Sequence, residues 1–194
     1  MPVRAPNRPV EFDRDVLPFF VLASGLEVLH ASAVLFPAGV AVFCAASGVG
    51  KTTLALGVAS RGHRLWADDS VAIQEVSAIP MPFAPRLRRP TREHLGDVKV
   101  GTFDAPAPLA ALFVLRRDDS TSVRRLAPPD GLAALLPHAW CFSLDDEGRK
   151  REMMGHYLDL VARVPVFALH FEAGFDRLDA VIDCVSAVVP TCRA

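Results

Sequence analysis

The sequence predicts an α/β fold, a mixed β-sheet with flanking helices. An apolar run over residues 40–44 leads into a glycine-containing loop, and a helical pattern begins at Leu54. Further along, apolar segments with strand-like alternation take turns with segments of helical spacing, which is typical of layered α/β proteins. Short turns with proline or glycine join several of the strands. Hairpins are therefore frequent, and a mixed sheet is expected in place of a wholly parallel one.

Length and composition favour a globular protein. The chain has 194 residues, with 51% hydrophobic and 22% charged residues, and we expect one domain over 1–194 with an irregular, proline-rich arm at 1–13. A net charge of −1 gives no general attraction to nucleic acid or to an anionic membrane. Because no apolar run is long enough to span a bilayer and no signal peptide is evident, we expect a cytoplasmic protein with neither partner.

The first half of the chain is predicted to contain a hairpin that leads into the glycine-containing loop. In order, the expected elements are a short helix or strand from 16 through 20, a turn at 24–25, strands at 31–36 and 40–44 joined by a turn at 37–39, a helix over 52–61, and strands at 64–67 and 70–75. Gly62 follows the helix at the position where glycine commonly ends one.

The second half begins with residues 79–90, a proline- and arginine-rich stretch that we expect to be extended or looped. The elements expected after it are a short helix over 91–95 capped by Thr91, strands at 110–115 and 123–126, helices over 130–136 and 150–163, a strand at 166–171, and a closing helix over 175–189. The residues expected to face inward on the last two helices are Met154, Tyr157, Leu158 and Val161, and Leu178, Val181, Ile182 and Val185.

The stretch over residues 45–53 is predicted to bind the phosphates of a nucleotide. Its members are Ala45, Ala46, Ser47, Gly48, Val49, Gly50, Lys51, Thr52 and Thr53. The two glycines can adopt positive φ and bring N–H groups close to phosphate oxygens, and the helix N-terminus adds its positive dipole end. Lys51 can reach the β- and γ-phosphates, and the Thr52 hydroxyl can ligate Mg²⁺. The alternative is a chance glycine loop before a helix.

Asp68 and Asp69 form a second candidate group, together with His30. The aspartates follow the strand after the loop's helix, so they can return to the phosphate end of the loop. Beside a bound Mg²⁺, one carboxylate can orient the metal or its waters while the other accepts a proton from an attacking hydroxyl. The alternative for the aspartates is a polar turn between strands, and for His30 a structural histidine at a strand start.

Three blocks, at 29–34, 47–52 and 61–69, together resemble the C-terminal kinase domain of HPr kinase/phosphorylase. The resemblance covers about residues 27–75 and extends to HPr-kinase-like proteins such as the kinases of lasso-peptide precursors. It implies a fold like that of phosphoenolpyruvate carboxykinase. It also implies ATP and Mg²⁺ as cofactors, and transfer of the γ-phosphoryl group to a serine-type hydroxyl of a peptide, protein or small molecule. Homo-oligomers are expected by the same resemblance.

The same resemblance implies a role for each matching residue. Lys51 contacts the phosphates, and Thr52 ligates Mg²⁺. Asp69 is the general base toward the acceptor hydroxyl, and Asp68 supports the metal shell. His30 lies beside the γ-phosphate and orients Asp69 or the acceptor.

The chain departs from the family at residues 86–92, where the bifunctional enzymes carry a glycine- and acid-containing loop and this chain has arginines. Arg86 and Arg88 are therefore candidate phosphate contacts, with a solvated basic loop as the alternative. Two other functions stay open: a nucleotide-binding regulatory module without catalysis, and an ATPase or carboxykinase-type enzyme.

Overall fold

The computed structural model describes residues 16–83, 89–95, 98, 100, 102–141 and 146–189. In these ranges the chain forms a mixed, mostly antiparallel sheet with flanking helices, which confirms the expected α/β class. No helix in the described ranges is both long and apolar enough to cross a membrane. The expected arm at 1–13 and the candidate phosphate contacts Arg86 and Arg88 lie outside the described residues.

The helices begin where the sequence offers a suitable start. Proline in the first turn opens α1 and α4, because its fixed φ suits a helix and its missing N–H would have had no partner there. Asp146 caps α5 by accepting a hydrogen bond from the Arg149 N–H at 2.9 Å. The helices are α1 Leu17–Ala23, α2 Lys51–Ser60, α3 Arg89–Leu95, α4 Pro128–Leu135, α5 Glu147–Arg163 and α6 Leu178–Val188, with a 3₁₀ turn at Leu136–His138.

The strands are β1 Glu27–Leu29, β2 Ala31–Phe36, β3 Gly39–Cys44, β4 Arg64–Ala67, β5 Val71–Gln74, β6 Ser77–Ile79, β7 Ala107–Arg117, β8 Ser122–Arg125 and β9 Val166–Phe171. The long strand β7 connects two groups of strands. Its first two residues pair antiparallel with β6, beyond which lie β5 and β1. The remainder runs parallel to β3 on one side and to β9 on the other. Strands β2 and β4 extend the sheet beyond β3, and β8 extends it beyond β9.

The predicted hairpin of β2 and β3 is confirmed, with Ala31 opposite Cys44 and Phe36 opposite Gly39. Gly39 is required at this turn for two reasons. Its φ is +130°, and a Cβ built on it would lie 2.3 Å from the Pro108 carbonyl oxygen of β7. The hairpin therefore packs edge to edge against β7 and delivers the end of β3 to the centre of the sheet.

Side chains alternate between two apolar cores, one on each face of the sheet. Phe43 and Phe113 point to the face covered by α2 and α6, while Val42 and Leu112 point to the face covered by α5. The four residues predicted to face inward on α6 are buried. On α5 the prediction for Leu158 is wrong: it is 52% exposed, and the buried set is Tyr157, Leu160 and Val161. That set follows the i, i+3, i+4 spacing of one helix face.

Two further elements differ from the sequence prediction. Strand β6 was not predicted, because it has three residues and the turn before it contains no glycine. Glu75 supplies the positive φ of that turn, at +53°, a role that glycine or asparagine usually fills. Helix α3 begins at Arg89, so Thr91 lies within the helix and is not its cap.

Candidate functional site

The loop between β3 and α2, residues 45–50, joins the second strand of the hairpin to the N-terminus of a helix. Gly48 and Gly50 have φ of +85° and +124°, so both use backbone conformations that other residues rarely adopt. No side chain caps the start of α2. The first N–H groups of a helix have no partner within the helix, so these groups are directed toward the exposed loop. The arrangement suits an anion bound at the helix end.

The Lys51 ammonium group is folded back onto this loop. Its Nζ donates to the Ala45 carbonyl oxygen at 2.7 Å and to the Ala46 carbonyl oxygen at 3.4 Å. It also lies 3.2 Å from His30 Nε2. The residue is only 6% exposed. A buried ammonium needs several acceptors to offset lost hydration, and here the loop and His30 supply them.

His30 joins Lys51 to Asp69. Its Nδ1 lies 2.9 Å from the backbone carbonyl oxygen of Asp69. A carbonyl can only accept, so Nδ1 carries the proton, and the lone pair of Nε2 then faces the Lys51 ammonium, which can only donate. This pattern of contacts requires the neutral imidazole. His30 stands between β1 and β2, and its backbone N–H donates to the His138 carbonyl oxygen at 2.7 Å.

One carboxylate oxygen of Asp68 accepts hydrogen bonds from two hydroxyl groups. Oδ1 accepts a hydrogen bond from Ser32 Oγ at 2.7 Å and from Thr52 Oγ1 at 2.8 Å. Ser32 lies in β2 and is fully buried, so it fixes the carboxylate from the sheet side. Ser32 was not predicted from the sequence as a site residue, because a serine within an apolar strand carries no motif of its own.

Asp69 has an uncommon backbone conformation. Its φ is +69°, in the left-handed region that non-glycine residues occupy at a cost of about 1 kcal/mol. Aspartate and asparagine tolerate this region better than other residues do. The bond from His30 to the Asp69 carbonyl holds the peptide in this position. Strained residues of this kind cluster at functional sites, where the surrounding structure over-determines them.

The Thr52 and Asp68 oxygens fit a shared Mg²⁺ ion. They are 2.8 Å apart, and neighbouring ligands of an octahedral Mg²⁺ with bonds of about 2.1 Å are separated by about 3 Å. The described residues contain no group of three or more His, Cys, Asp or Glu side chains that could hold a metal. A two-ligand site is nevertheless typical of Mg²⁺ that is bound together with nucleotide phosphates and water.

His138 also lies beside this site, although it was not predicted from the sequence. Its carbonyl oxygen accepts from the His30 N–H, and Leu29 forms a β-bridge with Ala139. Burial lowers the pKa of the His138 imidazole, and the positive charge of Lys51 acts in the same direction. No local signal could have identified it, because it lies in a turn between α4 and α5, far along the chain from the other site residues.

Arg117 is a cation on the other side of the loop. A Cβ built on Gly50 would lie 3.4 Å from an Arg117 guanidinium nitrogen. The guanidinium carbon lies 4.6 Å from the centroid of the Phe171 ring, in a cation–π contact. The sequence predicts a polar turn over residues 116–122, and this prediction is wrong at its start, because β7 continues through Arg117.

No protein-family model and no curated protein sequence matches the chain. Among solved structures, the Hpr(Ser) kinase/phosphatase from Coxiella burnetii is similar, with a TM-score of 0.42 and 11% sequence identity. The similarity covers 82% of this chain and 94% of that chain. The structural relationship is distant and carries no information about the chemistry of the site.

Proposed function

We propose that the protein is an ATP- and Mg²⁺-dependent phosphotransferase that transfers the γ-phosphoryl group to a serine-type hydroxyl. The observation that carries the proposal is a connected set of side chains beside the 45–50 loop: His30, Lys51, Thr52, Asp68 and Asp69. They come from three separate parts of the chain. The sequence blocks that resemble HPr kinase contain the same residues. A fold of the phosphoenolpyruvate carboxykinase type is part of the proposal.

In this proposal the loop and Lys51 hold the triphosphate. The uncapped start of α2 offers N–H groups, and Gly48 leaves open space, since a Cβ built on it would meet no atom within 4 Å. Lys51 is held at the loop by carbonyl groups, and in the proposal its ammonium group would turn from them to the phosphates. Exchanging those weak acceptors for anionic oxygens would strengthen its interactions, because charge-assisted hydrogen bonds are the stronger kind.

Thr52 and Asp68 would hold Mg²⁺ in the proposed site. The ion neutralises charge on the β- and γ-phosphates when it is bound. Ser32 would keep the Asp68 carboxylate in place from the buried side, since its hydroxyl is bonded to the same oxygen that faces Thr52. Ser32 is thereby a positioning residue that acts through Asp68.

Asp69 would be the general base for direct, in-line transfer. Its carboxylate takes the proton from the acceptor hydroxyl. The acceptor oxygen forms a bond to the γ-phosphorus as the bond from phosphorus to the β,γ-bridging oxygen breaks, and ADP leaves. No covalent enzyme intermediate is involved. His30 would position this base through the Asp69 backbone.

A nucleotide-binding module without catalysis is the main rival. Binding alone needs the loop, Lys51 and the helix end. It gives no reason for the unfavourable φ of Asp69 or for the histidine that holds it. These two features therefore favour the catalytic proposal.

The proposal is tested with γ-³²P-labelled ATP, Mg²⁺ and the purified protein. The acceptors offered are proteins and peptides encoded beside its gene and, separately, free serine. We expect acceptor-dependent ADP release and label on the acceptor, and we expect Asp69→Asn to lose both while still binding ATP. Asp159→Asn is the matched control, because Asp159 is an exposed aspartate of α5 that pairs only with Arg163 among the described contacts. ATP binding without label on any acceptor would support the binding module, and full transfer by Asp69→Asn would remove Asp69 from the base role.

A further inference from the structure

A cavity of about 270 Å³ is lined by residues of β1, β5 and α5. Its polar members include Glu27 of β1, Glu75 of the turn after β5, and Glu152 and His156 of α5. None of the lining residues takes part in the contacts beside the 45–50 loop. The cavity is therefore a separate feature of the molecule, which the proposed phosphate transfer does not use.

Glu27 is a buried carboxylate with only one of its two oxygens in hydrogen bonds. The residue is 4% exposed. Its Oε1 accepts from Arg149 Nη2 at 2.8 Å and lies 2.9 Å from His156 Nδ1. Its Oε2 is buried too, and no group of the described residues donates to it. Because a buried carboxylate oxygen without a donor is unfavourable, Oε2 requires a donor that the described part of the chain does not supply.

The wall of the cavity carries an excess of negative charge. It contains the carboxylates of Glu27, Glu75 and Glu152, and no lysine or arginine is among its described residues. Arg149 pairs with two of the three, at 2.8 Å from Glu27 and 3.0 Å from Glu152. With His156 neutral, two negative charges stay in excess. Glu75 and Glu152 are exposed, so their charges attract a cation from solvent toward the buried Glu27.

We propose that this cavity binds a small organic cation, with an ammonium or guanidinium group on an apolar stem. The N–H groups of the cation would donate to Glu27 Oε2, in a charge-assisted hydrogen bond. The stem would lie against Ile73, Tyr157 and Leu160, which are the apolar and aromatic members of the wall. A ligand of this kind matches both the charge and the apolar surface of the cavity.

A metal ion or a water molecule matches the cavity less well. The described residues contain no group of three or more His, Cys, Asp or Glu side chains that could hold a metal. A single water could donate to Glu27 Oε2, but it would leave the excess charge in place. It would also leave most of the volume unfilled, since one water needs only about 10 to 15 Å³ of such space.

The test is a titration of the ¹⁵N-labelled full chain, followed by amide chemical shifts. The probes are butylamine and butylguanidine, which carry the two cationic groups on one stem, and butanol, which is neutral. We expect both cations to shift the amide signals of Glu27, Ile73 and Glu75. We also expect them to bind about tenfold or more tightly than butanol, since a hydrogen bond to a charged, buried group supplies about this factor.

Variants of the carboxylates connect the binding to this cavity. Glu27→Gln should weaken the binding of both cations about tenfold and leave butanol unchanged, because the amide keeps the shape of the carboxylate and loses its charge. Glu75→Gln should weaken it about twofold, since an exposed charge contributes less. Glu172→Gln is the control, because Glu172 is an exposed glutamate outside the cavity wall that pairs with Arg177.

Butanol binding as tight as that of butylamine, or unchanged affinity in Glu27→Gln, would overturn the proposal. Loss of the butylamine shifts on addition of Mg²⁺ would overturn it in favour of a metal site. Tighter binding of N-acetyl-lysine methylamide than of butylamine would overturn the small molecule in favour of a peptide side chain. If Glu27→Gln does not fold, the double variant Glu75→Gln, Glu152→Gln replaces it, with an expected loss of about threefold.

Discussion

His30 donates a hydrogen bond from Nδ1 to the backbone carbonyl oxygen of Asp69, at 2.9 Å and across 39 positions of the chain. The acceptor peptide belongs to a residue with φ of +69°. A side chain at the junction of β1 and β2 therefore fixes the backbone of the residue proposed as the base. In the proposed function His30 is therefore a positioning residue, and its effect should be visible in kcat more than in binding.

We predict that His30→Ala lowers kcat by about 100-fold, because a small displacement of a reacting group has an effect of this size. The KM for ATP should change less. His30→Asn should retain more activity than His30→Ala, since an asparagine amide can replace the donor at Nδ1, although it loses the contact with Lys51. Steady-state kinetics with ATP and the identified acceptor measure both effects. Equal kcat in His30→Ala and wild type would refute the positioning role.

The strain at Asp69 gives a prediction about stability that is independent of catalysis. Asp69→Asn should leave the free energy of unfolding within about 0.5 kcal/mol of wild type, because asparagine also tolerates the left-handed region. Asp69→Val should lower it by about 1 to 2 kcal/mol, because a β-branched residue does not. Urea denaturation measures the difference. Equal stability of the two variants would show that the conformation relaxes at little cost.

Two glycines within helices, Gly57 and Gly155, should respond in opposite ways to a larger side chain, because only Gly57 is closely packed against another helix. A Cβ on Gly57 of α2 would lie 3.0 Å from Ile182 Cδ1 and 3.1 Å from Leu178 Cδ2, both on α6. We expect Gly57→Val to lower the free energy of unfolding by about 1 to 3 kcal/mol through overpacking. Gly155→Ala in α5 should raise it by about 0.5 to 1 kcal/mol, since no atom lies within 4 Å of the added Cβ. Both are read from denaturant midpoints, and a stable Gly57→Val would contradict the close approach of the two helices.

Stability should depend on pH through His138. Burial, with the charges of Lys51 and Arg116, holds the pKa of His138 below its ordinary value of 6.5. As the pH falls through about 6.5, the unfolded chain binds more protons than the folded one. The free energy of unfolding therefore decreases as the pH is lowered beyond this point. The decrease continues until the pH reaches the lowered pKa of the folded state.

Unfolding in urea at pH 5.5 and 7.5 measures this dependence. His138→Gln should reduce the difference between the two pH values. His63, whose pKa is also lowered by burial, contributes in the same direction, so His63→Gln is measured in parallel. A pH dependence that is unchanged in His138→Gln would assign the effect to other groups.

Much of the fold was predictable where local signals agreed. Strands β2 and β3 combine apolar runs with a Pro/Gly turn, and β4 is bounded by Gly62 and by Asp68, so their ranges were predicted within one residue. Strand β6 and the ends of β7 were not. Their pairing depends on contacts between distant segments, and the turn at Glu75 has no sequence signature.

The site shows the same division. The motif spacing named His30, Lys51, Thr52, Asp68 and Asp69, and the structure brings them together; their roles in catalysis stay predictions. Ser32, His138 and Arg117 were missed as site residues. Each reaches the site through tertiary packing, because they stand within a buried strand, in a remote turn and at the unpredicted end of β7.

The pairing of β7 also determines how the protein opens. Strand β7 is hydrogen-bonded to β3 along one edge and to β9 along the other. In contrast, β6 pairs with β7 through only two residue pairs, and β1 pairs with β5 through three. We expect amide hydrogens of β7 to exchange with solvent only on global unfolding, and those of β1, β5 and β6 to exchange through local opening. That opening would part His30 from Asp69 while the central sheet persists. On slow heating, we expect the geometry of the proposed site to be lost before the melting transition begins.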